Sequence, residues 1–503
     1  MSLEQHRSPV QGSFGLVLRA QAALACMLMA TGAPSTAHAQ PSCLNPSAPL
    51  TVEQARLTRV LPGHTLSAPE ELLVGAEMDQ LGPNFAAGLC SLTDFNSALA
   101  YMQAQGQLLW QRAVSRAQGR APAGTLPRSD DRPLYWARLQ MEAALAEWQP
   151  SFSLSADQLT LLEHTFVEWS RGQREISFPT DLTVKRIIMS GFDPFTLDAG
   201  PNGNGIRTGN PSGATILSLD GTHFQTSDGS TAVIHTYILP VNYGPFEGGM
   251  QENTIGPFLQ PGPQQVDASI TMSQGGTSVE YDLEQWNGRY HGPSAGNDNI
   301  AVCPRINVNG VLQYQLPATG QCDIDPPQQW VPHPATWTRD QPPQFTTTSL
   351  PISFMIAANT GNGIAPPPSD AWTGLGAFNV VWHTSFTEFP DCNSPTTVSV
   401  NIPVPTTFPP PNPPTPPDPT ACAESGGGGD YLSNESAYRN TLLRDTFGLH
   451  IPAGHIHTPI MSHFDPSNLY NVTDPTFEAW RGAIVAQARN LVFTVANSIP
   501  SKQ

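Results

Sequence analysis

The apolar residues of this chain keep a helical period from about Pro69 to Phe178, then at Val184 give way to short β-rich runs, so the fold must join two different grammars. In "LTDFNSALAYMQAQGQLLWQRAVSRAQ" (Leu92 to Gln118) Phe95, Leu99, Met102 and Leu109 follow at steps of four, three and seven, behind a Thr-Asp start suited to capping. "PLYWARLQMEAALAEW" and "SADQLTLLEHTFVEWS" repeat the pattern, the second opening on Ser-Ala-Asp. From Val184, "VKRIIMSGFDPF" and "AVIHTYILPV" (Ala232 to Val241) read as strands separated by helical or looped stretches, the alternation of an α/β fold. The expected architecture is an open twisted sheet flanked by helices over residues 181–503, preceded by a mostly helical region over 40–180. Between Gly361 and Thr420 the text turns turn-rich and ends in "PVPTTFPPPNPPTPPDP", a polyproline spacer that can form neither helix nor central strand. That stretch reads as an insertion. "PTFEAWRGAIVAQARNLVFTVANSI" (Pro475 to Ile499) closes the chain with an amphipathic helix begun by proline.

Charge narrows the partners. Acids outnumber bases 41 to 23, a net charge of −18, so no basic stripe is available for phosphates and nucleic acid is not expected as a partner. Arg7 and Arg19 precede the apolar run "AALACMLMA" (Ala22 to Ala30) and then "AHA" (Ala37 to Ala39), the pattern of a cleaved export signal over 1–39. The run is shorter than the roughly 20 residues a membrane span needs. The mature chain is therefore expected to start at Gln40, to be periplasmic or secreted, and to carry no membrane anchor. Setting Cys26 aside leaves Cys43, Cys90, Cys303, Cys322, Cys392 and Cys422, an even count that in an exported chain suggests disulfides, with sequential pairing as the simplest of fifteen arrangements. No CxxC occurs, which removes zinc ribbons and thioredoxin-like chemistry.

The chemistry concentrates in short blocks. "GFDPF" (Gly191 to Phe195), "NPSG" (Asn210 to Gly213), "LPV" (Leu239 to Val241), "YDLEQ" (Tyr281 to Gln285), "SLPI" (Ser349 to Ile352), "SGGGGDYLSN" (Ser425 to Asn434) and "GHIHTP" (Gly454 to Pro459) follow one another in an order that resembles pyroglutamyl-peptidase I, a cysteine peptidase family. The resemblance covers parts of residues 184–499 and none of the helical region. It implies an α/β hydrolase that removes N-terminal pyroglutamate from peptides without a cofactor. In this resemblance the gapless register of the glycine block sets Ser433 at the family's nucleophilic cysteine, while "GHIHTP" aligns His457 with its general base and "YDLEQ" aligns Glu284 with the acid that orients the base. Phe192 and Phe195 fall at the two rings that hold the pyroglutamyl lactam, and Asn210 lies in the neighbouring substrate-binding block. Around Glu284 the chain departs from the family, with Gly276-Thr277 where the family has Gly-Arg and Asn287 three residues after the acid rather than five.

The serine changes the chemistry. A thiol is readily ionised beside an imidazolium, whereas a hydroxyl needs His457 to remove its proton during attack and Glu284 to fix the tautomer. Oxidation-proof chemistry suits an exported chain. Two alternatives stand beside this reading: a silent homologue that binds pyroglutamyl peptides without turnover, and an amidase or esterase of altered specificity. The four glycines admit a turn that aims N–H groups at an oxyanion or a plain flexible tether. They are no phosphate loop, since no Gly-Lys-Ser/Thr follows. His455 and His457, with His450 and His463 nearby, admit a metal site; Cys422 admits a displaced nucleophile or a disulfide. "GNGIRTG" (Gly203 to Gly209) lacks the dinucleotide-binding spacing.

Overall fold

The structure is a computed structural model that describes residues 43–277, 279–302, 305–309, 311–314, 342–367, 377–405, 407–410 and 412–502. The segment expected to be an export signal, 1–39, and Cys303 and Cys322 lie outside the described residues. Among the described residues six α-helices come first: α1 (Val52–Ala55), α2 (Ala68–Gly75), α3 (Leu81–Leu89), α4 (Phe95–Ala117), α5 (Arg132–Glu147) and α6 (Ala156–Ser170). Their starts are written in the sequence. Asp94 accepts from the Ser97 N–H to begin α4 and Ser155 accepts from the Gln158 N–H to begin α6, both as reciprocal capping boxes. Met102 and Leu109 of the α4 stripe are buried, while Phe95 and Leu99 pack half-buried at its margin. At Gly106 a Cβ would press against the Phe166 carbonyl and the Trp169 side chain, so a side chain there would push α4 off α6.

The second part is a mixed seven-stranded sheet flanked by helices. Its elements in chain order are β1 (Lys185–Phe192), α7 (Pro211–Leu219), β2 (Thr222–Gln225), β3 (Thr231–Leu239), α8 (Tyr243–Glu247), α9 (Met250–Leu259), β4 (Ala268–Gln274) and β5 (Glu280–Glu284). There follow β6 (Trp286–Gly288), β7 (Arg305–Val308), β8 (Val311–Tyr314), β9 (Phe345–Thr347), α10 (Ile352–Ala357), β10 (Asn379–His383), β11 (Phe386–Phe389), β12 (Val398–Val400) and β13 (Cys422–Ser425). α11 (Leu432–Thr446), β14 (Ala453–Thr458) and α12 (Pro475–Ser498) complete it. The large sheet runs β10-β5-β14-β4-β1-β3-β2. β1 lies parallel to β3 and β4, and β4 parallel to β14, while β5 runs antiparallel to β14. β1 is buried along its whole length, so its middle, Ile187-Ile188-Met189, is apolar without alternation, while the buried Lys185 at its start is paired with Asp228. Its residues divide between two layers. Ile187 and Met189 join a core with α7, α12 and the N-terminal helices, and Ile188 and Phe192 join another with α9 and α11.

The helical region is also fastened to the sheet by charge. Asp193, in the loop after β1, accepts from Arg138 Nη2 of α5 at 2.6 Å and from Arg171 Nη1, just past α6, at 2.7 Å. Asp130 bonds Arg132 and lies 3.2 Å from Arg481 of α12.

Cys43 pairs with Cys90 and Cys392 with Cys422, so Cys422 is held in a disulfide. No helix among the described residues is long and apolar enough to cross a membrane. One part of the expected insertion behaves differently from its reading. Asn379–His383 forms β10 and pairs parallel with β5 at the edge of the large sheet. Prolines dominate the composition of the stretch, but these five residues, "NVVWH", contain none and carry two β-branched side chains and a tryptophan.

Candidate active site

The glycine run is a packed turn rather than a tether. Gly426 and Gly429 exchange backbone hydrogen bonds at 2.9 and 3.1 Å, Gly429 has φ +79°, and the Gly427 N–H donates to the Trp286 carbonyl at 2.7 Å. A Cβ on Gly427 would overlap Glu284 Oε2, so this glycine lets the loop lie directly on the acid. Asn434 clamps the other side of the turn: its Oδ1 accepts from the Gly288 N–H at 2.8 Å and its Nδ2 donates to the Gly288 carbonyl at 2.7 Å.

The turn feeds α11, whose N-cap Tyr431 supplies no side-chain cap. The first of the backbone bonds that close the helix runs from the Glu435 N–H to the Tyr431 carbonyl, so the N–H groups of Leu432 to Asn434 precede it. Ser433 thus sits on the electropositive end of a 15-residue helix.

Ser433 and His457 line one cavity of about 210 Å³ together with Phe192, Phe195, Asn210 and Gly428. The serine is half-buried and the histidine buried. Among the described residues no hydrogen bond joins the Ser433 hydroxyl to the His457 ring. Phe192, at the end of β1, stacks on Phe246 with centroids 6.2 Å apart, and Phe195 forms a half-buried part of the wall. Asn210 borders the cavity too, but its polar atoms serve the fold: Nδ2 donates to the Asp193 carbonyl and Oδ1 accepts from Ser212, capping α7.

Glu284 lies behind His457, fully buried. Its Oε1 accepts from His457 Nδ1 at 2.6 Å, which fixes Nδ1 as the protonated nitrogen and leaves Nε2 as the basic one. Its Oε2 faces His383 Nδ1 at 2.7 Å, and His383 Nε2 lies 3.2 Å from Ser385 Oγ. Burial alone would push the Glu284 carboxyl up, yet the two rings hold it well below the usual carboxylate range. For His383 burial acts downward, and the charge and hydrogen bond of Glu284 overcome it, lifting the ring to about 9. Asp282, two residues earlier on β5, goes the other way: burial first and the Glu284 charge second raise it to about 7.

His455 shares the face of His457, with ring centroids 4.7 Å apart, but both its nitrogens are taken, Nδ1 by Thr271 Oγ1 and Nε2 by Ser273 Oγ, each at 2.8 Å. His463 stacks on Trp480. Single ligand atoms of Asp282, Glu284 and His457 lie within 4.8 Å of one another, as do those of Glu247, His291 and Glu435. In the first group both Glu284 oxygens are already hydrogen-bonded, and in the second the Arg439 guanidinium occupies Glu435 Oε1. Sequence reasoning named the phenylalanines of "GFDPF" and passed over Asp193 between them. It also missed His383 and Asp282, although Asp282 stands inside the quoted "YDLEQ".

Two family descriptions match the chain: "PA0049, C-terminal domain" over residues 186–462 and "PA0049 N-terminal domain" over residues 34–166. Protein PA0049 of Pseudomonas aeruginosa is 43% identical over 504 residues, spanning 90% of each chain. Among solved structures, pyrrolidone carboxyl peptidase of Pyrococcus furiosus is similar at 14% identity, covering 62% of this chain and 99% of that one with a TM-score of 0.31. A mutant of the same enzyme gives 14% identity, 63% and 100% coverage and a TM-score of 0.32.

Proposed function

This chain belongs to the PA0049 family, and we propose that it is an exported hydrolase that removes N-terminal pyroglutamate from peptides, with Ser433 in the nucleophile position. The observation that carries the reading is the 2.6 Å Glu284–His457 bond behind a cavity whose wall also holds Ser433 and two phenylalanines. In this mechanism the lactam lies between Phe192 and Phe195, where its apolar faces are buried. Ser433 Oγ attacks the pyroglutamyl carbonyl carbon as its proton passes to His457 Nε2, and Glu284 stabilises the imidazolium. The oxyanion forms over the first turn of α11, whose free N–H groups and dipole favour negative charge. The imidazolium then protonates the departing amine, and water, deprotonated by the same ring, hydrolyses the ester. The signal-like N-terminus and two disulfides support export. The boundaries at residues 40 and 181 are proposed as those of the leader and the hydrolase domain.

A second reading, a binding homologue without turnover, is favoured by the lack of a hydrogen bond between Ser433 and His457. It is weakened by the general loosening of such bonds before substrate arrives. A fluorogenic pyroglutamyl amide given to wild type, Ser433→Ala, Ser433→Cys and His457→Ala decides between them. Turnover by wild type, lost in both alanine variants, is the expected result; activity confined to Ser433→Cys would establish the silent homologue instead. Turnover of simple esters without the pyroglutamyl amide would move the substrate class to an esterase.

A further inference from the structure

We propose that His383 is a positioning residue for the Ser433 centre: its ring holds the second oxygen of Glu284 and so fixes the carboxylate that aligns His457. The inference rests on the reading of Ser433 as nucleophile. It starts from register. β10 lies parallel to β5 with His383 directly opposite Glu284, and β14 lies on the other side of β5, so the acid is flanked in the sheet by a histidine strand on each hand. The His383 ring is itself fixed at both nitrogens, Nδ1 by Glu284 and Nε2 by Ser385 Oγ. Its strand is pinned beside the acid by the Gln285 N–H to the His383 carbonyl at 2.9 Å and by Trp382 Nε1 to Gln285 Oε1 at 2.8 Å.

A fully buried carboxylate bonded at one oxygen alone would leave the other without a partner and free to swing about its terminal torsion. Here His383 takes that oxygen, and Gly427 closes the remaining side at a distance that admits no Cβ. The acids facing His383 are Glu284, Asp282 and Glu280, all on β5. A cationic His383 subtracts from the negative field that Glu284 offers His457, so its contribution is alignment and not charge. Alignment matters more for a serine than for a thiol, because the hydroxyl is not ionised in advance and depends on His457 at the moment of attack.

The test uses the mature chain and two readouts. Histidine ¹⁵N NMR, with the His383 signal assigned by its loss in His383→Asn, should show that ring titrating at about 9 in wild type and returning toward the ordinary range in Glu284→Gln. A fluorophosphonate probe then reads the nucleophile without depending on peptide specificity: Ser433 Oγ bonds to phosphorus, fluoride leaves, and the hydroxyl proton goes to His457. His383→Ala should slow labelling of Ser433 by about tenfold to a hundredfold, whereas His383→Asn, whose amide N–H overlays Nδ1, should restore most of the rate without the charge. A His383 titration unmoved by Glu284→Gln overturns the proposal. So does labelling of His383→Ala at the wild-type rate. Failure of wild type to label at all would instead overturn Ser433 as nucleophile, and the titration separates the two failures because it needs no reaction.

Discussion

At the seam between the N-terminal helices and the sheet, buried acids meet arginines; at the strand ends around the cavity, buried acids meet histidines. Asp193 sits against Arg138 and Arg171, and Asp130 against Arg132 and Arg481. Glu284 sits against His457 and His383. An arginine does not release its proton in any ordinary pH range, so the seam pairs can orient and fasten but cannot move a proton. An imidazole can. The same cost of burying a carboxylate is thus offset in one place by groups fit for architecture and in the other by groups fit for acid–base chemistry, and this separates scaffold from site more sharply than burial does.

Four experiments bear on that contrast. The largest effect belongs to the site: Ser433→Ala, and Glu284→Gln with its altered tautomer, should each lower kcat/KM by roughly 10⁴-fold, with thermal melting of Ser433→Ala close to wild type. Asp193→Asn should do the reverse. It takes the nearest counter-charge from two buried guanidiniums, leaving Arg138 only Glu142 at 3.9 Å, and should lower unfolding free energy in urea by about 3–5 kcal/mol, with a much smaller change in kcat. An equal loss of activity and stability in both variants would erase the distinction.

Asp282 supplies a pH test. Its folded value near 7 lies above the ordinary aspartate value of about 3.9, so between these limits the native state keeps a proton the unfolded chain has lost. The stability it contributes is full at low pH and lost as pH rises through 7. Melting of wild type should therefore fall between pH 5 and 7.5 by up to about 2 kcal/mol relative to Asp282→Asn, which lacks that titration. Parallel curves would show Asp282 ionised throughout. The smallest expected effect is that of Gly427→Ala, whose Cβ displaces Glu284 Oε2 and should slow turnover by about tenfold.

How much of this was legible in the sequence follows the same division. The helical region announced itself through Asp94 and Ser155, because capping is a local matter of a few residues. The buried strand β1 was equally plain from the β-rich "VKRIIMSGF" that follows the helical text. Ser433, His457 and Phe192 stand out in the sequence because their blocks keep a recognisable order, although the contact of Gly427 with an acid over a hundred residues away has no local signature. His383 was missed for a different reason. Its strand lies in a stretch whose prolines dominate the composition, and only the five-residue "NVVWH" marks it. Asp193 was hidden between two phenylalanines with a more obvious use, and its arginine partners come from a region that carries no chemical motif.

The most direct measurement is peptide mass spectrometry of the protein quenched in acid during turnover of an activated pyroglutamyl ester. A pyroglutamyl acyl group on the peptide containing Ser433, absent from Ser433→Ala and accumulating in His457→Ala only if attack survives without its base, is the predicted result. Hydrolysis that proceeds with Ser433 unmodified, or an acyl group carried by another residue, would contradict the account.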